Sequence, residues 1–285
     1  MSNNFINIVG YGYVGGAIGY LCKQNNVNFC TYDVLKKDEP KAIHNFDNLQ
    51  ELVEHSELSN EHNVYFICVP TPPKEETGEC DTTIVEHVMN QLYNKCKRPT
   101  SVIIKSTVKP GTTRQLLNKF GSRLNIVFCP EFLKEKTFQE DMYNANFCLL
   151  GLSCDDNLKS LVSDTMKSLY KHKQIDIICK SYEECELFKY TINVYLAVKV
   201  WYFNEISEVC DQMGVKYNDL KSLFHLEPRI GESHIDAPGH DGFYGFGGKC
   251  LPKETLALAH LQENLGLPNN VLSEILKRND YFRSK

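Results

Sequence analysis

The sequence predicts an α/β protein, with a doubly wound parallel sheet first and a helical domain with one long central helix after it. Three observations predict this. Up to about residue 180, short β-branched apolar runs alternate with stretches of helical spacing; strands separated by helices imply right-handed crossovers and a parallel sheet covered on both faces. Beyond Lys180 the strand pattern stops: Glu183 to Met213 holds neither Pro nor Gly, and apolar residues recur at Leu187, Tyr190, Val194, Ala197, Trp201 and Ile206 with helical period. Finally, 285 residues with 42% hydrophobic and 24% charged side chains suit one large or two medium domains and exclude a disordered chain.

In chain order, Phe5–Val9 reads as a strand interrupted by Gly10, Val14–Gln24 as a helix, and Val27–Tyr32 as a strand ending in Asp33. Further strands are expected at Val64–Val69, Ser101–Lys105, Asn125–Phe128, Phe147–Gly151 and Gln174–Ile178. Helices are expected near Thr82–Cys96, Gly111–Phe120 and Asp156–Tyr170. After the long helix come three more, near Tyr217–Phe224, Pro252–Leu265 and Val271–Tyr281, with a Gly-rich loop from Gly231 to Gly248. The domain boundary is placed near residue 180, giving domains at 1–180 and 181–285.

Charge and composition exclude several functions. With 31 Lys+Arg against 36 Asp+Glu, the net charge of -5 offers no concentrated basic surface for nucleic acid. No run approaches the roughly 18–20 apolar residues of a membrane span, and the polar start Met1-Ser2-Asn3-Asn4 carries no signal-peptide pattern. Twelve cysteines include no C-x-x-C pair, so no structural zinc or other metal site is expected. Most of them lie among apolar neighbours, the pattern of reduced packing cysteines in a cytoplasmic protein.

Gly10-Tyr11-Gly12-Tyr13-Val14-Gly15 fits G-x-G-x-x-G, follows a strand, opens a helix and precedes Asp33 by about 20 residues. Gly10 permits the tight turn, Gly12 lets backbone approach a pyrophosphate, and Gly15 lets helix pack on strand. The helix N-terminus, at Tyr13 and Val14, presents N–H groups and a positive dipole end to phosphates. Asp33 is suited to the adenosine ribose hydroxyls and repels a 2′-phosphate, which favours NAD over NADP. This is the dinucleotide-binding signature of a Rossmann-type domain.

Three segments follow strand ends, where a doubly wound sheet holds its ligands. They are Cys68–Pro72, which contains Thr71; Lys105–Thr113, which contains Thr107; and Cys129–Glu135, which contains Glu131, Phe132, Leu133 and Glu135. A fourth is Gly245–Glu254. Pro252 suits a first helical turn, so Cys250 falls at that helix's N-terminus, where the dipole and the flanking Lys249 and Lys253 favour thiolate. Lys189 and Asn193, four apart on the long helix, stack on one face and suit an oxyanion clamp beside a thiolate.

This combination resembles the nucleotide-sugar dehydrogenases, the UDP-glucose/GDP-mannose dehydrogenase family. The residues that carry it are GYGYVG at 10–15, VPTP at 69–72, STVKPGTT at 106–113, PEFLKE at 130–135, ELFKYTIN at 186–193, FNE at 203–205, RIG at 229–231 and FGGKCLPKE at 246–254. The PEFLKE form is similar to the UDP-glucose branch. The resemblance implies an NAD-dependent four-electron oxidation of UDP-glucose at C6, through a thiohemiacetal and a thioester on Cys250. It implies Lys189 and Asn193 as oxyanion stabilisers, and Thr107 and Glu135 holding or activating a water. Glu131, Phe132, Leu133, Glu135 and Gly247 would line the sugar pocket, and Arg229 would reach the substrate of a neighbouring subunit in a dimer built on the long helix.

The sequence departs from that pattern in three places. Glu254 stands where the family usually has aspartate, and the loop from Arg229 to Cys250 is a few residues longer than usual. Ending at Lys285, the chain reads as a short form without the family's C-terminal UDP-binding domain. Two other classes share the architecture: a two-domain β-hydroxyacid-type dehydrogenase, which lacks a nucleophilic cysteine, and a non-catalytic NAD-binding scaffold. Cys250 argues against the first, and the retained Thr107, Glu135, Lys189, Asn193 and Cys250 argue against the second.

Overall fold

In the computed structural model, which describes residues 4–285 apart from 36–38, 76, 154 and 269, strand and helix alternate from the start. The elements are β1 (Asn4–Val9), α1 (Tyr13–Gln24), β2 (Phe29–Tyr32), β3 (His44–Phe46), α2 (Leu49–Glu57), β4 (His62–Ile67), α3 (Thr83–Lys95) and β5 (Thr100–Ile104). There follow α4 (Thr112–Phe120), β6 (Leu124–Phe128), α5 (Phe138–Tyr143), β7 (Phe147–Gly151), α6 (Asp156–Leu169) and β8 (Asp176–Lys180). The helical part holds α7 (Tyr182–Met213), α8 (Tyr217–Lys221), a 3₁₀ turn at Phe224–Leu226, α9 (Leu251–Asn264) and α10 (Val271–Arg283). The chain divides into two compact units, residues 1–72 with 80–189, and residues 73–79 with 190–285.

The eight strands form one sheet in the order β3-β2-β1-β4-β5-β6-β7-β8. The chain winds one way from β1 through β2 to β3 and the other way from β4 onward, so β1 and β4 flank the switch point where such sheets bind ligands. Alternate residues of each central strand feed two apolar layers. Ile6, Ile8, Val64, Phe66, Ile103 and Val127 pack with α1 and α6 on one face. Val9, Tyr65, Ile67, Val102, Ile104, Ile126 and Phe128 pack with α2, α3 and α4 on the other. Both faces are therefore buried, which is why these strands read as continuous apolar runs rather than as an apolar–polar alternation.

The sheet is not parallel throughout. β1 to β6 are parallel, as the alternation predicts, but β7 pairs antiparallel with β6 through Phe128 and Gly151, and β8 then runs parallel to β7. A parallel crossover must return the chain to the starting end of the sheet. Of the segment 129–146 between β6 and β7 only α5, six residues, is helical, so no full crossover helix carries the chain back along the sheet, and β7 enters from the opposite end. Three elements go beyond those expected from sequence: β3, α2 and α5. β3 has only three residues. α2 does carry a buried stripe at Leu49, Leu52, Val53 and Ser56, and its Asn48 cap accepts from Gln50 N.

The second unit contains α7 from Tyr190 onward, α8, α9 and α10. Its apolar centres are small. Phe203, Cys210, Tyr217, Ile235 and Ala237 form one, and Ala197, Phe246 and Ile275 another. Polar bonds supplement them. Tyr217 Oη donates to Ile235 O at 2.5 Å, and Arg278 bridges Glu205 at 2.6 Å and Glu208 as well. Residues 73–79 belong to this unit: Gly78, at φ +65°, lies so close to Leu256 that an added Cβ would overlap that side chain.

Candidate active site

In the first unit the site is assembled from loops that leave the carboxyl ends of strands. Gly10 follows β1 at φ +90°, and an added Cβ would come within 2.7 Å of Cys68 O, so only glycine fits both the conformation and the close approach. At Gly15 an added Cβ would overlap the Gly10 carbonyl oxygen. Gly12 differs: it is extended (φ -80°, ψ -152°), and nothing lies within 4 Å of where its Cβ would be. The first helical bond runs from Gly16 N to Gly12 O at 2.7 Å, so the N–H groups of α1's first turn point out of the helix end. No acidic side chain sits in that turn. An open cradle at a helix N-terminus without competing negative charge fits a pyrophosphate.

Asp33, just beyond β2, accepts from Tyr11 N at 2.6 Å through Oδ2 and from Leu35 N at 2.8 Å through Oδ1. Its carboxylate is thereby fixed beside the loop, and a carboxylate is an acceptor suited to a ribose hydroxyl. Tyr11 is held at its far end as well. Its hydroxyl donates to Glu39 Oε2 at 3.0 Å, and that oxygen also pairs with Lys23 at 2.6 Å. Neighbouring loops are knitted together by hydroxyls: Thr71 Oγ1 donates to Thr107 O at 2.8 Å and Ser106 Oγ to Val69 O at 2.7 Å.

Glu131 and Lys189 meet in this unit. Lys189 Nζ, with the residue only 3% exposed, donates to Glu131 O at 2.6 Å and pairs with Glu131 Oε1 at 2.9 Å. Glu131 Oε2 accepts from Leu133 N at 2.8 Å, so the carboxylate closes a turn in its own backbone. Burial pushes the Glu131 carboxyl upward, but the Lys189 ammonium and the Leu133 N–H outweigh it and hold the group below the ordinary carboxylate range. The ring of Phe132 lies 5.4 Å from Lys189 Nζ. Glu135 stands on the exposed turn that precedes α5. One turn before Lys189, the buried Glu186 accepts from Gly111 N at 2.6 Å and Thr113 N at 2.7 Å, capping α4.

In the second unit, Cys250 is the N-cap of α9, with Pro252 in the first turn. Among the described cysteines it alone is exposed. One turn on, Glu254 is fully buried and accepts from Asn193 Nδ2 at 2.8 Å through Oε2. The longer glutamate side chain is thus accommodated by a hydrogen bond to α7. The loop before Cys250 is pinned from two sides, by Asn204 Oδ1 on Gly245 N at 2.9 Å and by Asn279 Oδ1 on Phe246 N at 2.7 Å. Asn279 also returns a bond from Nδ2 to Phe246 O at 3.0 Å. Gly247 faces the Arg283 guanidinium, 2.9 Å from where a Cβ would stand. Arg229 is exposed and forms a two-pronged pair with Glu227 at 2.7 and 2.8 Å.

Glu131 and Lys189 are thus brought together in one unit, and Asn193 and Glu254 in the other. Glu186, Asn204, Asn279 and Arg283 support these groups but were not anticipated. Two of them had a signal, since Glu186 opens the Glu186–Asn193 run and Asn204 lies within Phe203–Glu205. Asn279 sits among charged residues on α10, and nothing local marks it as buried.

The sequence profile of the UDP-glucose/GDP-mannose dehydrogenase family, NAD binding domain, matches residues 4–174, and that of the family's central domain matches residues 183–281. The chain belongs to the UDP-glucose/GDP-mannose dehydrogenase family. It is 30% identical to the UDP-glucose 6-dehydrogenase of Rickettsia prowazekii, over 96% of this chain and 66% of that one. To the UDP-glucose 6-dehydrogenase of Campylobacter jejuni it is 29% identical, over 96% of this chain and 72% of the other. The chain spans about two thirds of the length of these relatives. Among solved structures, a UDP-glucose dehydrogenase from Pyrobaculum islandicum superposes with a TM-score of 0.79 at 26% identity, covering 97% of this chain and 68% of that one. The 3-hydroxyisobutyrate dehydrogenase of Mycobacterium tuberculosis, at 14% identity and TM-score 0.73, covers 100% and 95% and shares the fold. Family membership and the Rossmann-type architecture therefore agree with the reading made from the residues.

Two outcomes test this geometry. Asp33→Ala should weaken NAD binding by about tenfold, the usual scale for a hydrogen bond to a charged group, and narrow the preference over NADP; titration calorimetry with both dinucleotides measures it, and unchanged affinities would remove Asp33 from the site. Lys189→Met should cost about 3–5 kcal/mol at neutral pH by stranding a buried carboxylate. In the native protein Glu131 titrates below its unfolded value of 4.5, so the pair's contribution is complete above that value and lost only as pH falls through the lower folded one. The stranded carboxylate of the variant titrates higher and regains its proton first, so the stability gap, read by urea unfolding, should narrow from pH 7.5 to pH 5. A gap independent of pH would reject the ion pair.

Proposed function

We propose that this protein oxidises the C6 alcohol of UDP-glucose to the carboxylate of UDP-glucuronate in two NAD-dependent hydride transfers. The observation that carries the reading is Cys250, an exposed cysteine at the N-cap of α9, one turn from the bonded pair Glu254–Asn193. Relatives named UDP-glucose 6-dehydrogenase support the substrate. The glycine loop and Asp33 hold the dinucleotide, which when bound accepts the hydride from carbon.

The first oxidation removes a hydride from C6 and the hydroxyl proton, leaving an aldehyde. Cys250 Sγ adds to that carbonyl carbon as thiolate, and the oxygen, now negative, takes a proton to give a thiohemiacetal. Loss of a second hydride from the same carbon, to a second dinucleotide, together with the hydroxyl proton, yields the Cys250 thioester. Water then attacks, the carbon–sulfur bond breaks, and the acid departs with the thiolate restored. Lys189 and Asn193 stabilise the oxyanions, and Thr107 and Glu135 hold or activate the water. Glu131, Phe132, Leu133 and Gly247 line the sugar pocket. Glu254, bonded to Asn193, keeps that amide oriented and sits close to the nucleophile in sequence.

We further propose a homodimer formed on α7, with Arg229 reaching the substrate of the second copy. Tyr195, Tyr202 and Val209, spaced by seven residues, are 56%, 50% and 51% exposed, and an apolar stripe of that period suits a second helix.

A panel of UDP-glucose, UDP-N-acetylhexosamines and GDP-mannose, followed by NADH absorbance, tests the reaction. Two NADH per UDP-glucose are expected, and Cys250→Ser should release at most one. Oxidation of small β-hydroxyacids in place of every nucleotide sugar, or unchanged stoichiometry in Cys250→Ser, would overturn the reading. Tyr202→Glu should convert a dimer to a monomer in sedimentation velocity; a wild-type monomer would exclude the interface.

A further inference from the structure

A buried cluster behind the Glu131 loop has no part in the chemistry above. At the end of β5, Lys105 is 6% exposed, and its Nζ donates to Cys129 Sγ at 3.3 Å and to Pro130 O at 3.2 Å. Cys129 Sγ lies 3.5 Å from Cys148 Sγ on β7, and both cysteines are buried. An ammonium removed from water is costly unless paired. Here the pair is available: the Cys148 S–H directed at Cys129, and after it the Lys105 ammonium working against burial, lower the Cys129 thiol, while Cys148 is pushed up and keeps its proton. Cys68, Glu131, Tyr170, Cys179 and Cys185 also face the cluster. The arrangement is two sulfurs and an ammonium in a row.

The next carbonyl along the chain belongs to the candidate site. Pro130 O is held by Lys105, and Glu131 O, one residue on, is held by Lys189. Two buried lysines, one following β5 and one on α7, thus hold successive carbonyls of one loop. Lys189 donates two bonds to this loop, to Glu131 O at 2.6 Å and Oε1 at 2.9 Å, so a shift of the loop backbone is passed to the ammonium.

We infer that Lys105, anchored on Cys129, is a positioning residue that sets the Pro130–Glu131 backbone and through it the place of Lys189. The consequence for turnover rests on the function proposed above; the consequence for Lys189 does not. Lys105→Met removes both of the lysine's bonds. Because Lys105→Met also changes core packing, Cys129→Ala, which removes one sulfur and leaves the lysine, serves as the second variant.

The full-length chain is labelled with ¹³C-lysine, and the Lys189 ε-methylene signal is assigned by its loss in Lys189→Arg. In either folded variant the Lys189 titration should move by about one pH unit, more in Lys105→Met than in Cys129→Ala. If UDP-glucose is oxidised, kcat should fall about 10- to 100-fold in Lys105→Met, while KM for NAD stays unchanged. A purely structural lysine would lower thermal stability and leave the Lys189 titration where it was. An unmoved Lys189 signal in a folded variant overturns the inference whatever the activity. Absence of turnover in the wild type would instead overturn the function, and the Lys189 titration still decides the role of Lys105.

Discussion

β1 lies between β2 and β4, and its last residue is followed at once by Gly10, whose backbone turns through φ +90° against the carbonyl of Cys68. Much of the first unit hangs on that close approach. Cys68 N bonds Val9 O at 2.8 Å and Gly10 N bonds Tyr32 O at 2.8 Å, so both neighbouring strands are tied to the end of β1. A side chain at residue 10 would push the β4 loop away and with it Thr71 and its bond to Thr107. The opening in front of Gly12 and the crowding at Gly10 and Gly15 are two results of one turn: backbone packed on backbone behind, space for a phosphate in front.

α7 imposes the second constraint. Glu186, Lys189 and Asn193, at intervals of three and four, lie along one side of a helix that is otherwise suited to apolar packing. Each has a partner of its own: the N-terminus of α4 for Glu186, the Glu131 loop for Lys189, and Glu254 for Asn193. An unpartnered buried polar group costs about 1–3 kcal/mol, and more when charged. Groups this expensive persist where their orientation matters. Burial raises the Glu186 carboxyl despite its N–H donors, whereas Lys189 overcomes burial at Glu131. A full counter-charge achieves what backbone N–H groups do not.

Much of this was legible in the residues. The βαβ start, the glycine turn, Asp33, the strand-end loops and the N-capping position of Cys250 each have a local chemical cause, and each was found where the sequence pointed. What escaped were features fixed by tertiary geometry. The antiparallel entry of β7 depends on the path of the 129–146 connection, not on the composition of Phe147–Gly151. Asn279 and Arg283 lie on a helix of ordinary polar appearance, and only the folded chain brings them to Phe246 and Gly247. Lys105 precedes a recognisable segment, yet its partner Cys129 is 24 residues away and looked like one more small packing residue.

The distribution of thiols has a practical side. Of the eleven described cysteines, eight are buried, two are half-buried and one, Cys250, is exposed. Alkylating reagents discriminate by access to the sulfur and by its ionisation. Among the described cysteines they therefore meet a single open position in the native protein, and the other ten come within reach as their shielding opens. A time course of mass increments, read by peptide, would separate the early addition at Cys250 from the later ones at these ten, so they double as a built-in clock for local unfolding, read without any added probe.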